Sequence, residues 1–150
     1  MGTCWTVFQS PVRRRRVQFD TRFNYSIIPA MHELAVTEGI LKIALDAANQ
    51  NGARRIVAID LVIGELSSIV DDSIQFYFDQ LSRGTLAEKA ALRFQREPAQ
   101  VVCLDCRHAF PARAPLTPQC PQCGRARLRV FGGREFHIAS LEVEDEPADC

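Results

Sequence analysis

The feature that most limits what this chain can fold into is Cys103-Leu104-Asp105-Cys106, then thirteen residues, then Cys120-Pro121-Gln122-Cys123. Each Cys-x-x-Cys turns tightly enough to aim two sulfurs at one ion. The loop between them lets the second pair close a tetrahedron, the geometry of Zn(II) thiolate sites. Pro121 and Gly124 supply turn chemistry at the second knuckle. Four cysteines also admit two disulfides, or a redox pair beside an unrelated pair. No secretory signal is read before the motif, so an oxidising compartment lacks support. A thioredoxin-like pair belongs between a strand and a helix, whereas these flanks are short, polar and proline-rich (Pro111, Pro115, Pro118). A closed shell of Cys103, Cys106, Cys120 and Cys123 leaves no position for water or substrate, so the zinc is expected to be structural.

The rest of the chain alternates helix and strand. Leu34, Ile40, Leu41, Ala44, Leu45 and Ala48 recur at helical spacing, and Asn49-Gln50-Asn51-Gly52 ends that helix. Arg55 to Ile63 alternates as a strand. Asp72-Ser73-Ile74-Gln75 reads as a capping box opening a second helix, with Ile74, Tyr77, Phe78 and Leu81 as its buried stripe. Ala91 to Glu97 and Arg134 to Val143 are strands. The apolar phase of the last switches from Phe136 and Ile138 to Leu141 and Val143, which predicts a bulge near Ala139-Ser140. Glu142 to Asp149 reads as an acidic, frayed tail. The predicted fold class is therefore α+β: a small mixed or antiparallel sheet with two helices, plus an inserted zinc-ribbon-like Cys4 module. Residues 31–98 and 134–150 form the main domain, and 99–133 form the module, which is too small to fold without its metal.

Residues 1–30 differ from the rest. They carry five arginines (13, 14, 15, 16 and 22) against Asp20, while the whole chain of 150 residues has zero net charge. The run Arg13-Arg14-Arg15-Arg16 has no hydrophobic stretch after it, so it is not a Sec or twin-arginine signal. A transit peptide or a nucleic-acid or membrane-surface patch would also fit the arginines. The plainest reading is an N-terminal extension, disordered or included by a misplaced start, with Met31 as initiator. No apolar run is long enough to cross a membrane.

If Met31 is the first residue, Met31-His32-Glu33 presents an amine, an imidazole and a carboxylate together. Amine and imidazole nitrogens, completed by deprotonated backbone amides, suit the tetragonal coordination of Ni(II) or Cu(II). Both groups must lose protons to bind, so affinity falls with pH.

Met31-His32-Glu33 heading a helix, Gly64-Glu65-Leu66-Ser67, Gly84-Thr85, the two knuckles and the closing Arg134-Glu135-Phe136 and Leu141-Glu142-Val143 follow one another as in the HypA/HybF hydrogenase nickel-incorporation family. The chain resembles that family from residue 31 to about 145. The resemblance implies a nickel metallochaperone with a nickel-binding domain, Ni(II) as cargo and structural Zn(II). It implies action with a HypB-type GTPase and delivery to the [NiFe]-hydrogenase large subunit, with urease maturation as a second use in some members. A cytoplasmic protein, monomeric or weakly homodimeric, with no nucleic-acid or membrane partner is expected. The implied nickel site is the Met31 amine, His32 and neighbouring amides, with Glu33 as ligand or neighbour and Asp71 close by in the loop before the second helix. His108 falls where some members hold a histidine near the zinc, either as an exposed polar residue or as an occasional ligand. The family's nickel site needs a free amine at Met31, and with residues 1–30 attached that nitrogen is a peptide amide.

Other functions fit less well. The 99–133 module has five arginines against Asp105, but four thiolates on Zn(II) contribute −2, leaving a weak nucleic-acid footprint. An enzyme would need a nucleophile–base pair or a phosphate loop, and neither is read. An interaction module whose metal only holds the fold stands as the nearest alternative. Protein from its native source is expected to begin at Met31 by intact mass or N-terminal sequencing. Material beginning at Met1 that still binds nickel at full strength would sink that expectation.

Overall fold

The computed structural model describes residues 12–19 and 32–145. Strand β1 (Arg14–Gln18) comes first, then helix α1 (Glu33–Gln50), strand β2 (Ala53–Gly64), helix α2 (Asp71–Leu81) and strand β3 (Ala91–Glu97). Strands β4 (Ala99–Cys103), β5 (Ala109–Ala112) and β6 (Leu128–Phe131) follow, and β7 (Phe136–Asp145) closes the chain. The main sheet has the order β1-β7-β2-β3, with β2 and β3 parallel and the other pairs antiparallel. The second sheet, β5-β4-β6, is antiparallel throughout. The mixed sheet, two helices and inserted cysteine module are those expected.

Apolar periodicity explains the core. Ile40 and Ala44 of α1 and Ile74 and Phe78 of α2 bury against Ile56, Ile59, Leu61 and Ile63 of β2 and Leu141 and Val143 of β7. Each of these side chains contributes about 1.5–3 kcal/mol when fully buried, alanine less. Leu34, expected on that face, is 41% exposed, because Val36 and Thr37 set the buried stripe of α1.

The predicted bulge is present. Asp60 pairs with Ser140 but Leu61 pairs with Ile138, so Ala139 is the extra residue. It lets Phe136 and Ile138 share a face with Leu141 and Val143, and the Ser140 hydroxyl donates to Asp60 across the step.

Three expectations are corrected. Glu142 to Asp145 are no frayed tail: they complete β7, flanked by β1 and β2, and residues 146–150 lie outside the described part. The capping box does not form. Val70 is the N-cap of α2, Asp71 rather than Asp72 opens the helix, and Gln75 donates to Asp79 at 2.7 Å instead of reaching back. The chain enters α2 from an extended Val70, and the Asp71 carboxylate turns to Arg96, so the capping geometry is lost one residue early. Residues 14–18, expected to hold no element, form β1; the rest of the segment apart from 12, 13 and 19 lies outside the described residues.

The two sheets meet at a glycine seam. The Gly64 N–H donates to the Glu135 carbonyl at 2.7 Å and the Leu66 N–H to the Gly133 carbonyl at 2.6 Å. The Glu65 N–H reaches Glu97 at 2.8 Å, and Arg113 of the module pairs with the Glu65 carboxylate at 2.6 Å. A Cβ at residue 64 would lie 2.1 Å from the Gly133 carbonyl carbon, and Gly133 itself has φ +80°. Only hydrogen fits there. Gly64→Ala is expected to cost about 3 kcal/mol, the upper part of the ordinary overpacking range. Denaturant unfolding checks it, and an unchanged midpoint would show that the seam yields freely.

Candidate metal centres

The second sheet exists to bring two turns together. Strand β4 ends in Cys103, and the chain turns through Leu104 and Asp105 to Cys106 before β5 returns. The Arg107 N–H donates to the Cys103 carbonyl at 2.9 Å, and the Cys103 N–H to the His108 carbonyl at 2.9 Å. The second knuckle repeats this pattern at the same offsets. Gly124 donates to the Cys120 carbonyl at 2.9 Å, and Cys120 to the Arg125 carbonyl at 2.8 Å. The residue after each second cysteine is left-handed, Gly124 at φ +73° and Arg107 at φ +62°. Glycine adopts that conformation freely and arginine does not.

The four sulfurs lie within 4.8 Å of one another. Cys103 and Cys123 are 3.6 Å apart, as are Cys106 and Cys120. A tetrahedron with Zn–S bonds of 2.3 Å has edges of about 3.8 Å, so the donor set fits Zn(II). All four are free thiols at that spacing, which removes the disulfide alternative. The backbone N–H of Cys106, then that of Asp105, lowers the Cys103 thiol to about 7. The His108 N–H favours the thiolate of Cys106 as well, but burial and the three neighbouring sulfurs outweigh it and push that thiol up to about 12. The backbone N–H of Arg125 likewise favours the Cys123 thiolate, but burial with Cys103 and Cys120 raises that thiol. Cys103 favours its thiolate while Cys106 and Cys123 resist theirs, which is the electrostatic condition that a divalent cation relieves. Zinc held by these residues would cross-link the two turns.

Asp105 inside the first knuckle pairs with Arg127 at 3.0 Å and Arg125 at 3.6 Å, tying the two halves together. Sequence reading missed this role, although an acid in one knuckle facing basic residues beyond the other was its signal. The His108 ring stacks on Phe110 with centroids 5.8 Å apart, and the group of ligand atoms consists of the four cysteines.

The residues proposed for nickel are placed separately. Met31 lies outside the described residues. His32 is the extended N-cap of α1, with φ −63° and ψ 144°, and its side chain makes no capping hydrogen bond. Glu33 begins the helix and its carbonyl accepts the Thr37 hydroxyl at 2.6 Å. Asp71, expected in a loop, is in the first turn of α2 and ion-paired with Arg96. Among the described residues the structure does not gather His32, Glu33 and Asp71 into one ligand group.

Residues 31–143 match the family model HypA, described as hydrogenase/urease nickel incorporation, metallochaperone. This chain belongs to the HypA family. The hydrogenase maturation factor HypA of Dehalococcoides mccartyi is 44% identical over 116 residues, 77% of this chain and 97% of the relative. That of Geobacter metallireducens is 40% identical over 114 residues, 76% of this chain and all of the relative. The solution structure of the Ni metallochaperone HypA from Helicobacter pylori covers 77% of this chain and 100% of its own, with 27% identity and a TM-score of 0.53. A second HypA solution structure gives 26% identity and a TM-score of 0.57. HypA proteins are nickel metallochaperones of hydrogenase maturation rather than enzymes, and the Cys4 group suits their structural zinc.

The left-handed positions test the knuckle geometry. Gly124→Ala, with open space around its Cβ, is expected to cost about 1 kcal/mol through conformation alone. Arg107→Gly should be neutral or stabilising by up to about 1 kcal/mol. Unfolding of the zinc-loaded protein checks both, and an opposite ranking would contradict the repeat. Cys120→Ser, or zinc removal by a chelator, should melt the 99–133 sheet, seen as loss of its amide protection.

Proposed function

We propose that this chain binds Ni(II) at Met31-His32-Glu33 and hands it over during [NiFe]-hydrogenase maturation. The observation that carries this reading is that the family match begins at Met31, directly before an exposed His32 whose imidazole caps nothing. Amine, imidazole and the first backbone amides would supply a square nitrogen set, with Glu33 as ligand or neighbour. A site at the head of one helix can open without disturbing the core, which suits a protein that must release its metal. Asp71 would join only by leaving Arg96, so its part is that of a neighbour which exchanges partners. His108 would act on zinc only by leaving its stack with Phe110.

The pathway implies partners in hydrogenase maturation. The reading specifies a HypB-type GTPase and the hydrogenase large subunit as receiver, in the cytoplasm, with the chain a monomer or weak homodimer. A nucleic-acid role has little to draw on. Arg113 pairs with Glu65, Arg125 and Arg127 pair with Asp105, and Arg129 lies over Phe131 at 6.0 Å.

With residues 1–30 attached, the Met31 nitrogen is an amide and cannot act as an amine ligand. Calorimetric titration separates the cases. A chain starting at Met31 should bind Ni(II) with micromolar-class affinity, weakening as pH falls because protons compete for the same nitrogens. His32→Ala should weaken binding by about tenfold or more, at least what a supporting contact contributes at a metal site. Equal binding by the variant would remove the mechanism.

A further inference from the structure

Metal handling makes no use of the arginine run, yet the fold does. Strand β1 lies antiparallel on the outer edge of β7, with Arg14 opposite Glu144, Arg16 opposite Glu142 and Val17 opposite Leu141. The main-chain ladder continues past it at both ends. The Phe19 N–H donates to the Ala139 carbonyl at 3.2 Å, and the Asp145 N–H to the Arg13 carbonyl at 3.1 Å. Alternation sorts the side chains by face. Val17 and Phe19 pack on the hydrophobic core. Arg14 meets Glu144 at 3.1 Å and Arg16 lies 3.9 Å from Asp60. Arg15 contacts both Asp145 oxygens at 2.8 Å and donates to the Asn51 carbonyl just past α1. Helix α1 has no basic residue in its own last turn, so this guanidinium supplies the cation its C-terminus favours.

Without β1, the acids Asp60, Glu142, Glu144 and Asp145 would, among the described residues, face only Arg55 and Arg93. The edge of β7 would then offer unpaired main-chain groups bordered by net negative charge. Two such edges repel one another, whereas an extended basic segment fits both the ladder and the charge. The family match starts at residue 31, and relatives matched over nearly their full length have no counterpart of β1. The HypA fold is therefore complete without it.

We propose that the outer edge of β7 is a strand-docking site for an extended arginine-bearing segment, and that Arg14–Gln18 is its tethered occupant. The full chain keeps the edge closed, and a chain starting at Met31 leaves it open. Main-chain pairing and the apolar anchors Val17 and Phe19 hold the segment, and the arginines fix its register, because exposed ion pairs alone contribute little.

Fluorescence anisotropy with a labelled synthetic peptide of residues 12–19 tests this without nickel, so its failure is distinct from failure of the chaperone reading. The chain starting at Met31 should bind the peptide, with changes in the amide signals of residues 139–145. The full chain should bind it about tenfold or more weakly, because a tethered occupant competes at millimolar-class effective concentration. Glu142→Lys with Glu144→Lys in the shorter chain should also weaken binding about tenfold or more, two interfacial charge reversals acting together. Backbone N-methylation at residues 15 and 17 keeps charge and side chains but blocks the ladder, and should abolish binding. Equal affinity of the methylated peptide, equal affinity of the full chain, or a shorter chain that pairs with itself and refuses the peptide would each overturn the proposal.

Discussion

Two backbones pass each other at Gly64 and Gly133 with no room for a side chain, and that crossing sets the relation between the two sheets. Strand β2 ends there, β6 has just ended, and β7 starts three residues later. The hydrogen bonds from the Gly64, Glu65 and Leu66 N–H groups are main-chain bonds, so they depend on approach rather than on side-chain chemistry. A module cross-linked by zinc is rigid within itself. Joined to the main sheet by Gly64, Leu66 and the Arg113–Glu65 pair, it is also held in orientation. Zinc held by the knuckles would thus bear on the main sheet through the seam, close to where β7 begins.

Much of this was readable from residues alone, for identifiable reasons. The knuckles fold by local turn geometry and a single ion, so spacing suffices. The bulge at Ala139 was visible because a strand period of two cannot place Ile138 and Leu141 on one face without an extra residue. The capping box failed because its pattern is local while Asp71 answers to Arg96, a residue 25 positions away. The acidic end was misread for the same reason. Glu142, Glu144 and Asp145 look like a solvated tail until the arginines of β1, β2 and β3 stand beside them, and those lie far off in sequence. A pattern reading of four arginines gives charge, not register, so β1 itself was invisible.

The candidate sites divide along the same line. The cysteine cluster is assembled wholly by elements that the structure describes, and its electrostatics follow from two repeated turns. The nickel end depends on a chemical group, the amine of Met31, whose existence is decided by where the polypeptide begins rather than by how it folds. Sequence could name those residues through resemblance, but fold geometry alone does not make them a site.

Helix α1 lies between its caps His32 and Asn51, and its 18 residues span about 27 Å. One end carries the histidine offered to metal, and the other is held by Arg15 of β1. A single stiff rod therefore has a metal terminus and a strand-edge terminus. Release of the edge strand withdraws the cation from the far end of the helix that presents His32. A chain starting at Met31 gains the amine at one end of this rod and loses the cation at the other, so one change of first residue alters both ends, although the residues involved never touch.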